Sequence, residues 1–481
     1  MERPLLYLRT LAYLRPGQAL AQLLKRVLPP SRVRPVHHPR LRSGVNIGPC
    51  LQTSGAATGD HAFRFLNRER VFPASGIDWA GKEMPKLWRY NLHYFDYLFE
   101  TGRSHDAKAR LISDWIANNP MGAGDGWEPY TASLRIVNWI KFFLRRDEAP
   151  QESWSTSLYA QAAWLEKNLE RHILANHYLK NAVALCFAGM YFDGEDADRW
   201  LTKGWTMLCE EAAEQFLPDG GHYERSPMYH SICAVDYLDV LNLVGNSRAP
   251  FGAGPRAALQ NTVAAALNFL HALCLPDGNI PLFNDSAFGI APAPSQIFSY
   301  AAQVSGYETP AAAGGVEPHA RAESGYYVCR NGGDAIVIDC GPVGPDYQPG
   351  HAHCDTLSYE LAIDGRRVIV DSGVYDYEAS PERTYARSTR AHNTVVVDGE
   401  EQSEIWGVFR VARRAKPLRA SFRKAADGTV SFEGAHDGYR RLPGKPIHAR
   451  TISYDGQGNW VIEDSLDAAD LSASNALWIL P

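Results

Sequence analysis

The sequence predicts a multidomain α + β protein, helical first and antiparallel β second. Three observations carry that prediction. At 481 residues the chain is too long for a single hydrophobic core. From about residue 88 to 305, apolar residues recur at spacings of three and four. Beyond 310, short alternating segments separated by turn residues replace them. Helices and strands segregated along a chain build separate domains rather than one mixed sheet.

The helical stretch is typified by 132–145, where Ala132, Leu134, Ile136, Val137, Trp139, Ile140, Phe143 and Leu144 repeat with helical period. Similar runs occupy 157–170, 178–192, 197–216, 231–244 and 256–274, with Gly, Pro, Asp and Asn between them. Many are apolar on two sides, which predicts helices packed in layers. Pro310, Gly314, Gly315 and Pro318 mark a linker. Strands are expected at 325–330, 335–339, 356–363, 367–370, 393–397, 429–434, 450–454 and 460–464. Asp364-Gly365 and Asp398-Gly399 supply hairpin turns. The expected domains are therefore a basic segment 1–45, a helical domain 46–315 and a β domain 316–481.

Composition narrows the class. Apolar residues at 45% and charged residues at 21% exclude a disordered chain, a collagen repeat and a coiled coil. Aromatics reach 11%, a surplus that suits either a sugar-binding cleft or a core. The formal charge of -6 argues against a nucleic-acid partner. That charge is unevenly spread. Residues 1–45 hold nine Lys or Arg against Glu2 alone, giving +8 and leaving -14 for the remainder. Leucines at three- and four-residue spacing over 4–28, broken at Pro16, form a basic amphipathic pair. Such a pair either lies on an anionic membrane surface or packs on its own domain. No apolar h-region of a secretory signal interrupts the basic residues, and the eight cysteines show no CxxC pair. Both predict reduced thiols in a cytoplasmic protein, with peripheral membrane contact through the N-terminus as an open alternative.

Four polar segments stand out. The first runs through Asn91 and His93, followed by Trp127, Glu128 and Tyr130, with Arg135 a turn further on. The second is Asn176-His177. The third contains Asp219, His222, Glu224, Arg225, Tyr229 and His230. The fourth is His351-Ala352-His353, followed by Asp371 and by His392. A His-x-His pair entering a strand puts both imidazoles on one face. If the strand begins later, the two diverge to different tasks. His, His and Asp suit zinc, and the alternative is polar residues bonded within a β-turn.

The segments GHAHCDTLSYEL at 350–361, VDSG at 370–373 and AHNTVVVDG at 391–399, with Asn176-His177 and the Glu224–His230 stretch, resemble the heparinase II/III family of polysaccharide lyases. The resemblance implies an incomplete N-terminal (α/α) toroid and a C-terminal antiparallel β-sandwich. It implies β-elimination on a uronate-containing acidic polysaccharide or oligosaccharide. In that reading Asn176 and His177 neutralise the uronate carboxylate, Tyr229 and His351 exchange protons, and His353, Asp371 and His392 hold a structural zinc. Arg225 and His230, neighbours in sequence, would lower the Tyr229 pKa. Asn91, His93, Trp127, Tyr130, Arg135, Glu224 and Arg225 would line the sugar cleft, although aromatic toroid walls also serve as packing.

Compared with secreted members, the sequence leads one to expect a chain without a signal segment and with a β domain short for the family. Two other functions compete: a glycoside hydrolase using Asp219, Glu224 or Asp285, and a non-catalytic glycan-binding protein of polysaccharide biosynthesis.

Overall fold

The computed structural model describes the chain except residues 1, 30, 32, 34–37, 53–58, 249–252, 312–314, 468–475 and 479–481. Part of the expected linker and the apolar chain end lie outside the described residues.

Two helices, α1 (Glu2–Leu11) and α2 (Pro16–Val27), and a hairpin of β1 (Ala62–Phe65) and β2 (Arg68–Val71) precede the helical domain. That domain contains α3 (Lys86–Tyr94), α4 (His105–Asn118), α5 (Pro129–Leu144), α6 (Glu152–Lys167), α7 (Ala175–Tyr191), α8 (Glu195–Gln215), α9 (Pro227–Asn246), α10 (Ala253–Leu273) and α11 (Pro294–Ser305). Helix α7 packs on α5, α8 and α9, and α9 packs on α10 and α11. This is the layered arrangement that two-sided apolar helices require. Helices α7 and α8 approach closely because each supplies a glycine. A Cβ on Gly189 would fall 2.4 Å from Leu201 N, and one on Gly204 would fall 2.7 Å from Cys186 N.

Three residues expected in the cleft belong to the toroid core instead, and the structure corrects them. His93 Nδ1 accepts from Trp115 Nε1 at 3.0 Å. The Arg135 guanidinium lies 3.8 Å over the same indole, while its Nε donates to Gln161 at 2.8 Å. Trp127 packs on Trp115 and Trp164 and donates to Asn119 O. All three are buried. Their polar atoms were a weak signal for function because buried polar groups must find partners wherever they fall. Asn91 is half-buried and donates to Leu87 O within α3.

The C-terminal domain begins with β3 (Glu317–Arg321), β4 (Tyr326–Asn331), β5 (Asp334–Asp339), β6 (Tyr359–Ile363) and β7 (Arg366–Ile369), an antiparallel sheet in that order. A short helix α12 (Pro381–Arg387) and strands β8 (Val395–Val397), β9 (Ile405–Trp406) and β10 (Arg410–Val411) follow. The second sheet is β11 (Pro417–Lys424), β12 (Val430–His436), β13 (Ile447–Tyr454) and β14 (Trp460–Asp467), and β15 (Ala476–Trp478) pairs with β8. Residues Tyr327, Cys329, Ile336, Ile338 and Leu361 face Val430, Phe432, Ile452 and Tyr454, so the two sheets form a sandwich. The alternate residues Tyr326, Val328, Ala335 and Val337 face Phe269, Leu273 and Phe283 on the toroid side. Strand β5 is thus buried on both faces, which explains its unbroken apolar run. The hairpin expected at Asp364-Gly365 joins β6 to β7 with positive φ at both residues.

Polar contacts lock the seam. Arg225 donates from Nε to Ser324 O at 3.0 Å and from Nη1 to Tyr223 O at 2.9 Å. Asp219 accepts from Ser324 N at 2.8 Å. Arg225 is therefore a domain-joining residue rather than a cleft residue, because main-chain carbonyls take its guanidinium. Helices α1 and α2 strap across both domains: Arg9 pairs with Glu404, Trp406 Nε1 donates to Thr10 Oγ1, and Gln18 Nε2 donates to Tyr347 O. The N-terminal pair does pack on its own protein. All eight cysteines are free thiols. Among the described residues no helix is long and apolar enough to cross a membrane.

Burial, reinforced by the Arg135 charge, lowers the His93 pKa to about 3 from its usual 6.5. The unfolded chain therefore binds a proton that the native core refuses, and stability rises with pH between about 3 and 6.5. We expect His93 alone to cost about 2 kcal/mol of stability between pH 7 and pH 5. Urea unfolding at the two pH values should show a smaller difference in His93→Gln, which keeps an acceptor for Trp115.

Candidate active site

Residues from α7, α9 and two loops meet at one cleft between toroid and sandwich. Asn176 and His177 occupy the first turn of α7. Tyr229 occupies the first turn of α9, whose N-cap Ser226 accepts from Tyr229 N. Two helix N-termini thus bring partial positive charge to the place where these residues meet. The loop before β6 contributes His351, and the loop after α10 contributes Asp285. The main chain bends sharply at these points. Leu174, Ala175, Arg225 and Asn284 all have positive φ, at 67°, 53°, 57° and 56°, each beside a site residue. Strained non-glycine backbone persists where surrounding contacts over-determine it.

The rings of Tyr229 and His351 stack with centroids 3.7 Å apart. His351 Nδ1 donates to Asp285 Oδ2 at 2.8 Å, since a carboxylate only accepts. Its Nε2 lies 3.4 Å from Asn176 Nδ2 and 3.4 Å from Glu224 Oε2. The neutral ring finds a donor there and the charged ring an acceptor. Asn176 is oriented by Glu224, whose Oε1 accepts from Asn176 Nδ2 at 3.0 Å and from its main-chain N at 3.2 Å. His177 donates from Nδ1 to Glu170 at 3.0 Å, and its ring lies 4.3 Å from Tyr130. Burial raises the Glu170 pKa, but the charge and hydrogen bond of His177 outweigh it and hold the carboxyl below its usual range.

The expected activation of Tyr229 is overturned. Burial, the neighbouring Tyr377 and the Asp285 charge raise its pKa well above 10. Arg225 is turned to the domain seam, and His230 faces Ala266 O and His222 N. No cation next to it in sequence faces the phenol. Tyr377 Oη lies 3.1 Å from Tyr229 Oη. Tyr377, Arg383 and Glu170 carried no signal in the sequence beyond their residue types. Asp285 stood out only as a carboxylate of the alternative hydrolase.

His351 and His353 reach one carboxylate from a turn, because regular strand geometry begins only at Tyr359. Asp285 Oδ1 accepts from His353 Nε2 at 2.8 Å while Oδ2 takes His351. Arg383 grips both oxygens, with Nη2 to Oδ2 at 3.0 Å. His392 Nδ1 donates to Asp371 Oδ2 at 2.8 Å, and its ring lies 5.3 Å from that of His353. His353 Nδ1 and His392 Nε2 are buried without a partner. A carboxylate on the far nitrogen of His353 is the usual support for a metal-ligating imidazole, so the donor chemistry fits zinc. Among the described residues, three or more such side chains do not draw together as a ligand set.

Residues 50–303 match the heparinase II/III N-terminus model, and residues 314–480 match the heparinase II/III-like C-terminal model. The chain belongs to the heparinase II/III family. This heparinase II/III chain is 28% identical over 323 residues to the heparin-sulfate lyase of Pedobacter heparinus, covering 60% of this chain and 47% of that protein. It is 26% identical over 393 residues to the heparin-sulfate lyase of Bacteroides stercoris, covering 69% and 57%. It thus spans about half the length of these curated relatives. The fold matches the crystal structure of heparinase III with a TM-score of 0.64 at 20% identity, over 82% of this chain and 66% of that one. The toroid and sandwich are therefore the family architecture.

The Asp285–Arg383 pair is fully buried. Asp285→Asn leaves a guanidinium without its anion and should cost about 3–5 kcal/mol in urea unfolding. Adding Arg383→Met should recover part of that loss.

Proposed function

We propose that this heparinase II/III chain is a polysaccharide lyase that cleaves a uronate-containing acidic polysaccharide or oligosaccharide by β-elimination. The observation that carries this reading is the convergence of Asn176, Tyr229 and His351 on one cleft. The heparin-sulfate lyases among its relatives support an acidic polysaccharide as substrate.

The proton on C5 of a uronate becomes removable when the charge of the adjacent carboxylate is balanced. The Asn176 amide, His177 and the two helix N-termini supply that balance. His351, tied through Nδ1–H to Asp285, takes the C5 proton on Nε2, and the resulting imidazolium is stabilised by Glu224. The C5 electron pair passes into the carboxylate as an enolate and returns to form the C4–C5 double bond as the C4–O bond breaks. Tyr229 gives its phenolic proton to the departing oxygen. Its raised pKa suits a donor rather than a base, and Tyr377 hydrogen-bonds to the tyrosinate that remains. His353, Asp371 and His392 would hold a zinc ion, whose contribution is to anchor the loop that presents His351. The competing hydrolase reading is weakened because two of its three carboxylates are occupied. Asp285 is taken by Arg383, His351 and His353, and Asp219 by Ser324 and Gly221.

Incubation with uronate polymers should raise ultraviolet absorbance from the unsaturated product. Tyr229→Phe and His351→Ala should each lower kcat at least about 100-fold with the fold intact by circular dichroism. New reducing ends without absorbance would favour hydrolysis instead. For the zinc assignment, elemental analysis should find one zinc per chain, and a chelator should lower the thermal midpoint of the wild type but not of His392→Ala.

A further inference from the structure

The basic N-terminal helices are inverted relative to an ordinary surface helix. In α2 the polar side faces the protein. Gln18 Nε2 donates to Tyr347 O at 3.2 Å, Gln22 Nε2 donates to His172 O at 3.3 Å, and Lys25 Nζ meets His172 Nε2 at 2.7 Å. The apolar stripe of Leu20, Leu23, Leu24 and Val27, spaced at three and four, faces outward with 56, 58, 45 and 70% exposure. A surface helix in water turns such a stripe to the core. In α1, Leu5, Leu8 and Leu11 are also exposed. Nine of the 21 exposed large apolar side chains among the described residues fall within 5–28. Contiguous exposed apolar surface marks an interaction site.

The charge around the stripe selects the occupant. It belongs to the +8 segment, with Lys25 and Arg26 exposed at the end of α2. Tyr13, in the turn between the helices, lines a pocket with Arg413, Arg414, Arg441 and Asp437, in which Arg413 also reaches Glu404, Arg414 reaches Asp346 and Arg441 reaches Glu400. Arg414 Nε is buried there without a partner. A second copy docked face to face would bring the exposed Lys25 and Arg26 of both α2 helices together, which opposes association. A surface of anionic headgroups over an apolar interior complements both the cations and the leucines.

We propose that α1 and α2 form an in-plane docking face for an anionic lipid bilayer, with the leucine stripe entering the headgroup–acyl boundary and the arginine pocket taking headgroup charge. The proposal is independent of the lyase reading.

Co-sedimentation of the full chain with phosphatidylcholine vesicles, with and without phosphatidylglycerol, tests it. Binding should be at least about tenfold tighter to the anionic vesicles and should fall as salt rises. Leu20→Gln/Leu24→Gln should weaken it at least about tenfold while leaving the thermal midpoint unchanged, since both leucines are exposed. Equal binding to both vesicles, or full binding by the double variant, overturns the proposal. So does dimerisation of the wild type in light scattering that the double variant abolishes without any vesicle binding, because the stripe would then belong to a second copy.

Discussion

The Asp285 carboxylate is the contact on which the site depends. It sits on the toroid side, fully buried, and receives four donors that all come from the C-terminal domain: two from Arg383, one from His351 and one from His353. A buried carboxylate is costly to desolvate, and burial alone would push its pKa up. The charge of Arg383 and the hydrogen bonds of the two histidines reverse that and hold it well below the usual carboxylate range. An anion held this firmly fixes the tautomer of His351. It also joins His351 to the neighbouring His353, so their orientations are not independent.

The rest of the architecture serves that junction. Strand β5 is buried by the second sheet on one face and by the toroid on the other, so the sandwich cannot slide without exposing apolar surface. Arg225 and Asp219 fasten the same seam through the main chain of 323–324. The positive-φ residues beside Asn176, Ser226 and Asp285 are affordable only because these contacts over-determine them. Helices α1 and α2 add a strap from outside, reaching Glu214 on the toroid and Glu404 on the sandwich.

Legibility followed the physics of each signal. Helical periodicity located α5 to α10 to within five residues at their ends, because two-sided burial of long amphipathic segments leaves a strong pattern. The short motifs around Asn176, Tyr229 and His351 were legible through family resemblance, and the fold brings them together. Single polar residues misled. His93, Trp127 and Arg135 resembled cleft residues, yet they form one polar cluster around Trp115 inside the toroid. Arg225 and His230 adjoin Tyr229 in sequence but point away from it, since residues one or four apart across a helix start need not share a direction. Tyr377 reaches Tyr229 across 148 residues and Arg383 reaches Asp285 across 98, separations at which local pattern carries no information.

By itself the sequence determined the order of helical and β domains, the hairpin at Asp364-Gly365 and the charge excess of the first 45 residues. These follow from periodicity, turn chemistry and composition, which are local properties. Only the tertiary structure decided which polar residues share a cleft, that burial raises the Tyr229 pKa, and that α2 turns its glutamines inward and its leucines out. Each of those depends on long-range packing, where burial and the nearest charge outweigh anything adjacent in the chain.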